Sequence, residues 1–273
     1  MILDELLAQL HNQIPKPPEV NRISIGDRYV AVKLGQKAGV AYRPKMDSIP
    51  IELKDGFHLA ELALSNNLME RATGIATINA LSWLIIPQRL KFRHGDPTEC
   101  IDIQGRIITM IGFFTPLVRR FAVAQEIRVV ERESFLSGEQ TCPSGRRARC
   151  LSERQASKCP NVRYFTPAQV GDAVRGAHAV IITGSALVYG GIEDYLQQAK
   201  ISEEVMVVGP TSSMLPDPFF RRGATAVGGI EIFDANMLMD IVESGGGTRD
   251  IIGKCARKIW FRREDFTDQL RCI

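Results

Sequence analysis

Residues 106–131, RIITMIGFFTPLVRRFAVAQEIRVVE, decide the fold. Ile107, Ile108, Met110 and Ile111 form an apolar run too short for a helix and closed by Gly112, the pattern of a strand covered on both faces. Thr115 and Pro116 suit an N-cap and a first helical position, and Leu117, Val118 and Phe121 then repeat at helical spacing. Glu126 to Glu131 is apolar again in its middle. Strand, glycine turn, helix and strand in this order make the first unit of a parallel, doubly wound α/β sheet.

The device recurs downstream. HAVIITGSALVYGGIEDYLQQA predicts a buried strand to Thr183, a turn at Gly184-Ser185 and a helix near Gly191 to Ala199. VMVVGPTSSMLPDPFF predicts a strand over Val205 to Val208 running into Gly209-Pro210, Gly223 to Gly229 enclose a short strand, and Ala235 to Val242 is helical. Three apolar strands thus end in glycine, at Gly112, Gly184 and Gly209, and in a parallel sheet those ends share one edge. There backbone N–H groups and helix N-termini can face a ligand.

Upstream, Leu3, Leu6, Leu7 and Leu10 mark one face of a helix that Pro15, Pro17 and Pro18 stop. Ile23 and Ile25, then Val30, Val32 and Leu34, alternate about Gly26-Asp27 as a hairpin, to which Gly39 to Tyr42 adds a third strand. From Asn67, NLMERATGIATINALSWLI opens on an Asn-x-x-Glu capping pattern and runs as a helix to Pro87. Asn79 lies on its apolar stripe, where a buried amide must find hydrogen-bond partners. Residues 87–105, rich in proline, glycine and charge, read as the crossing between a first domain over 1–104 and a second over 105–273.

The chain has 273 residues, 45% hydrophobic and 24% charged, an ordinary globular composition long enough for two domains. A formal net charge of +3 is too small to argue for a nucleic-acid partner. No apolar run reaches membrane-spanning length, and Asp4 and Glu5 stand where a signal peptide carries basic residues, so the expectation is a soluble cytoplasmic protein without a membrane partner.

Residues 138–163 form an unusual interval between elements that should be neighbours. It holds six basic residues (Arg146, Arg147, Arg149, Arg154, Lys158, Arg163) against two acidic ones (Glu139, Glu153), and Cys142, Cys150 and Cys159. These thiols are too widely spaced for structural zinc or an iron–sulfur cluster, yet three of them in a basic loop offer soft-metal ligands or redox chemistry. The competing reading is an exposed insertion with unpaired thiols. Cys100, Cys255 and Cys272 show no metal spacing, the four histidines are scattered, and His178 opens a predicted strand. The C-terminal RKIWFRRE reads as a final edge strand with aromatics inward and arginines snorkelling outward, in preference to a nucleic-acid surface.

Six ordered blocks, ATINAL, MIGFFTPLV, VVER, VIITGSALVYGGIEDYL, VVGPTSSMLP and GGIEIFD, resemble the heavy-metal chelation family also known as domain of unknown function 364. The resemblance spans nearly the whole chain apart from the cysteine interval and the last twenty or so residues. It implies a small α+β domain similar to the N-terminal domain of enolase, joined to a Rossmann-like domain, with a site between them. By position that site would be lined by Asn79, Gly112, Phe113, Phe114, Glu131, Gly184, Ser185, Gly209, Pro210, Thr211 and Gly229. Many relatives carry histidine where this chain has Phe113, and a phenyl ring ligates no metal.

Three functional readings stay open. In the first, the cleft binds a small anionic or metal-chelating ligand, or a heavy-metal ion, oriented by the Asn79 amide, received by N–H groups of the glycine turns and ligated by Glu131. In the second, an enzyme uses a nucleotide-type cofactor at the same edge: Glu131 stands at the end of the second strand, where dinucleotide folds place the acid for a ribose hydroxyl, although GFFTPL lacks two of the fingerprint glycines. In the third, the chain is a regulatory or scaffold module with a partner on its basic cysteine loop, and in any of these it can form a homo-oligomer.

Overall fold

The computed structural model describes residues 1–47, 50–52, 54–132 and 161–270. Two sheets organise them. A three-stranded antiparallel sheet is built from β1 (Arg22–Ile25), β2 (Tyr29–Leu34) and β3 (Lys37–Tyr42). The second sheet contains β4 (Arg93–His94), β5 (Ile107–Ile111), β6 (Glu126–Val130), β7 (Val162–Phe165), β8 (Ala179–Thr183), β9 (Glu204–Val208), β10 (Ala226–Ile232) and β11 (Ala256–Arg262). Its order is β4-β11-β10-β9-β8-β5-β6-β7.

The run from β7 to β10 is parallel throughout, and β11 and β4 are antiparallel additions. Numbered along the chain, the six parallel strands lie in the order 3-2-1-4-5-6 of the doubly wound dinucleotide folds. The direction of winding reverses between β5 and β8, so the strand ends at Gly112 and Gly184 flank the switch point.

Several elements depart from the sequence expectation. Thr115 is not the cap but the first residue of helix Thr115–Arg120; Phe114 holds the N-cap position without a side-chain bond. The long helix Leu68–Arg89 contains Pro87 in its last turn, where a missing N–H removes only one terminal bond, and its Asn67 cap accepts from the N–H groups of Met69 and Glu70. β10 runs through Gly228 and Gly229, which admit Pro97 and the Ser213 backbone against the strand. β11 is not an edge strand, because β4 covers it; Trp260 and Phe261 are buried as expected. β7 begins inside the interval read as an insertion, while Cys142, Cys150 and Cys159 lie outside the described residues.

The core explains the assembly. One face of β5, β8 and β9 packs with helix Leu68–Arg89 and the N-terminal helix Ile2–Gln13; the other face packs under Leu117, Val118 and Phe121. The small sheet is itself sandwiched: Val30, Val32 and Ala41 face the long helix, while Ala31, Ala38 and Val40 face Leu238, Met239 and Val242 from the far end of the chain. The long helix is buried almost all round, as its lack of a polar face requires. Gly39 permits this packing, since a Cβ there would stand 2.1 Å from the carbonyl oxygen of Ala76.

Among the described residues no helix is long and apolar enough to cross a membrane. The N-terminal helix is tied down by charge as well as by its leucines. Arg222 Nη2 lies 2.5 Å from Glu5 Oε1 and Arg221 Nη2 lies 2.7 Å from Oε2, and together they hold the Glu5 carboxyl well below its ordinary 4.5, at about 2. A carboxyl depressed in the folded state stabilises fully above its unfolded pKa, and that contribution fades as pH falls through the folded one. Acid titration of stability should therefore show a loss between about pH 4.5 and about 2 that Glu5→Gln removes, read by thermal unfolding at each pH. The pair is half-exposed and screened, so the loss should shrink in high salt.

Candidate functional site

The carboxyl edge of the parallel strands gathers most of the residues singled out from the sequence, but their roles differ from the expectation. Gly112 and Gly209 have φ of +93° and +128°, which an L side chain rarely adopts. The space beside Gly112, Gly184 and Gly229 is filled by protein, whereas a Cβ on Gly209 would meet only Gly184 N, at 3.9 Å. A Cβ on Gly112 would stand 2.6 Å from Thr183 Cγ2, one on Gly184 would stand 2.9 Å from Ser212 Oγ, and one on Gly229 would stand 2.7 Å from Ser213 Cα. Close approach of neighbouring strand ends is what these glycines serve.

Their N–H groups are also committed. Gly112 donates to Val130 O at 2.9 Å, Gly184 to Val208 O at 2.8 Å and Gly209 to Gly228 O at 3.1 Å, which extends each ladder past the strand end. The expectation that these three N–H groups receive a ligand is corrected on that ground. The Ser185 N–H makes a long bond, 3.3 Å, to Thr183 Oγ1.

Asn79 is fully buried. Its Nδ2 donates to Val40 O at 2.8 Å and to Thr211 O at 3.0 Å, so one carboxamide joins the long helix to β3 and to the loop after β9. Two carbonyl acceptors fix which end of the amide is nitrogen. Among the described residues Oδ1 has no partner, while both donors are spent on backbone, which makes the side chain a cross-link.

Pro210–Ser213 completes the junction. Thr211 Oγ1 accepts the Tyr42 N–H at 3.0 Å, Ser212 Oγ donates toward Gly228 O at 2.8 Å, and Ser213 Oγ donates to Pro210 O at 2.7 Å and accepts the Ile230 N–H at 2.9 Å. Each hydroxyl thus bonds backbone at the junction.

Glu131 stands half-buried just past β6. Its Oε2 accepts the Phe113 N–H at 3.1 Å and its Oε1 accepts the N–H of Arg132 at 3.1 Å. A carboxylate thus already occupies the first free N–H of the turn after β5, where a dinucleotide fold receives pyrophosphate. Phe113 and Phe114 are partly buried and pack against the cluster that holds Leu117 and Val118.

Residues that the sequence reading passed over complete the rim. The Arg132 guanidinium carbon lies 3.8 Å from the centre of the Tyr189 ring, and Tyr189 meets Tyr42 across the junction of the two sheets with ring centres 5.9 Å apart. Burial raises the Tyr42 phenol above its ordinary pKa and Tyr189 adds to this, while Arg132 and Arg28 oppose it and Glu131 adds a further push. Burial also raises Tyr195, with Arg132 opposing and Glu131 and Asp194 adding. Three phenols, two guanidinium groups and two carboxylates therefore share one electrostatic neighbourhood. The signal available in the sequence was positional: Tyr42 ends a strand, Tyr189 precedes Gly190-Gly191, and Arg132 follows Glu131.

Among the described residues no three side chains of His, Cys, Asp or Glu gather to hold a metal ion.

Comparison with known proteins agrees with this architecture. Residues 96–261 match the model of domain of unknown function 364 and residues 7–82 match that of domain of unknown function 4213, both described as "Putative heavy-metal chelation". The chain belongs to the first of these families, whose model covers more than half of it. A solved protein of unknown function from that family in Pyrococcus horikoshii superposes with a TM-score of 0.72 at 20% identity, over 96% of this chain and 100% of that one. Another from the family, in Desulfitobacterium hafniense DCB-2, gives 0.72 at 15% identity over 95% and 98%. No curated protein matches.

The Asn79 assignment is open to a direct check. Asn79→Ala removes both donors and leaves two buried carbonyls unpaired, a loss of about 3 kcal/mol of unfolding free energy in urea titration. Asn79→Asp should be no better tolerated, since a carboxylate cannot donate to either carbonyl.

Proposed function

We propose that the chain binds a small, anionic, oxygen-rich chelating molecule at the carboxyl edge of the parallel sheet, against Arg132, Tyr189 and Tyr42. The observation that carries this reading is the Arg132 guanidinium stacked 3.8 Å over Tyr189, on the rim where the two sheets meet. Stacking orients the guanidinium plane and leaves its N–H edge for a carboxylate or similar anion. Among the described residues neither Arg132 nor Arg28 has a carboxylate within 4.0 Å. The position suits a ligand, because doubly wound sheets bind at the carboxyl ends of their strands beside the switch point.

A bare metal ion is the weaker reading for this edge, since both oxygens of Glu131 already accept N–H groups and, among the described residues, no three His, Cys, Asp or Glu side chains gather there. A ligand bringing its own donor atoms reconciles that with the family description of heavy-metal chelation. A nucleotide-type cofactor loses support for a different reason: the strand-end N–H groups that would receive its phosphates are consumed within the sheet.

Citrate is a suitable probe, because it is small, trianionic and a chelator. Calorimetric titration should show saturable binding that Arg132→Ala weakens by roughly tenfold, about 1.4 kcal/mol. Binding that is absent, or that survives both Arg132→Ala and Arg28→Ala unchanged, would refute the proposal.

A further inference from the structure

Arg132 stands one residue beyond a ladder bond that runs past the end of β6, in which the Glu131 N–H donates to Phe165 O at 3.0 Å. Among the described residues the Arg132 N–H meets no backbone carbonyl. The residue is exposed, and an arginine side chain gives up much rotamer freedom when it is held in one place. Its guanidinium nevertheless lies 3.8 Å over the Tyr189 ring. Such a stack forms at low cost only where the backbone that launches the side chain is already fixed.

Glu131 supplies that fixed point. Its Oε1 accepts the Arg132 N–H at 3.1 Å, and its Oε2 accepts the Phe113 N–H at 3.1 Å from the turn after the neighbouring parallel strand β5. That turn is itself held, because the Gly112 N–H donates to Val130 O at 2.9 Å. Glu131 therefore ties the chain to β7 through its own N–H and to the β5 turn through its carboxylate. Bonds from N–H groups to a carboxylate are stronger than those to a neutral acceptor.

We infer that Glu131 is a positioning residue: it fixes the backbone at Arg132 so that the guanidinium rests on Tyr189 and is preorganised for an anion. The ligand in this inference rests on the anion-binding reading above, whereas the placement of Arg132 can be read with no ligand present. The sign of the effect separates positioning from plain charge. A carboxylate near a bound anion repels it, so by Coulomb's law alone its removal tightens binding. Removal of a positioning carboxylate weakens binding, because the group that attracts the anion is released.

The test compares the full-length parent with Glu131→Gln, Glu131→Ala, Arg132→Ala and the double variant Glu131→Ala/Arg132→Ala, with circular dichroism as the check of folding. Protons over the face of an aromatic ring resonate upfield, so the Arg132 Cδ and Nε protons report the stack on Tyr189 by NMR without ligand. The upfield shift should be present in the parent, reduced in Glu131→Gln, whose amide puts oxygen at only one of the two positions, and lost in Glu131→Ala. In calorimetry with citrate, Glu131→Ala should weaken binding roughly tenfold, to the level of Arg132→Ala. The double variant should lose no more than either single one, since both changes remove the same interaction. An upfield shift kept in Glu131→Ala, or tighter citrate binding by that variant, would overturn the positioning role. Should Glu131→Ala fail to fold, Glu131→Gln decides, and a shift and affinity equal to the parent's would overturn the role. A parent that binds no citrate, with the shift still lost in Glu131→Ala, would overturn the anion reading and leave the positioning of Arg132 standing.

Discussion

The arrangement depends on how the loop after β9 is satisfied. Pro210–Ser213 lies where the long helix, the small sheet and the end of the large sheet meet, and Thr211, Ser212 and Ser213 are buried there. Buried backbone carbonyls and N–H groups without partners are costly, so the backbone that reaches this junction needs side chains to pair with. Asn79 spans helix, β3 and loop with one amide, and three consecutive hydroxyls settle the remainder. A hydrophobic residue in place of Asn79 would preserve the packing of the helix and lose the tie between sheets. The sequence block PTSS is thus a joint, and the rim above it inherits a fixed geometry.

That joint changes what the glycine-edged strands mean. In a phosphate-binding doubly wound fold, glycines clear space so that a ligand can reach free N–H groups. Here Thr183, Ser212 and Ser213 occupy the cleared space, and the ladders consume the N–H groups. The proposed ligand would meet side-chain chemistry above the edge: cationic at Arg28 and Arg132, anionic at Glu131, phenolic at Tyr42 and Tyr189. This chain shares the wound topology of nucleotide-binding folds, with its strand-end N–H groups paired within the sheet.

Much of the fold was legible because its signals are local. The strand at Ile107–Ile111, the hairpin about Gly26-Asp27, the Asn67 cap and the helix Ile192–Ala199 all follow from periodicity and capping within a few residues. Misplacements occurred where distant packing overrides local preference. Gly228 and Gly229 sit inside a strand because Pro97 and Ser213 press on them, and RKIWFRR is an inner strand because a two-residue strand from far upstream pairs with it. For the residues singled out as a candidate site, the hydrogen-bond partners were not legible in the sequence. The edge residues do lie together, but whether an amide faces a ligand or a carbonyl depends on atoms more than a hundred residues away, as with Asn79 and Thr211. The tyrosines escaped notice for the same reason, since Tyr42 and Tyr189 become neighbours only when the two sheets are joined.

The sandwiching of the small sheet bears on how such a protein can evolve. One face of β2 and β3 is covered by the helix directly after them in sequence, the other by a helix near the opposite terminus, Ala235–Glu243. Neither portion therefore owns a finished interior, and swapping one with a distant relative would strand apolar surface on both. The two matched regions should travel through descent as a unit, with substitutions on the Leu238 and Met239 face answered by changes at Ala31 and Val40.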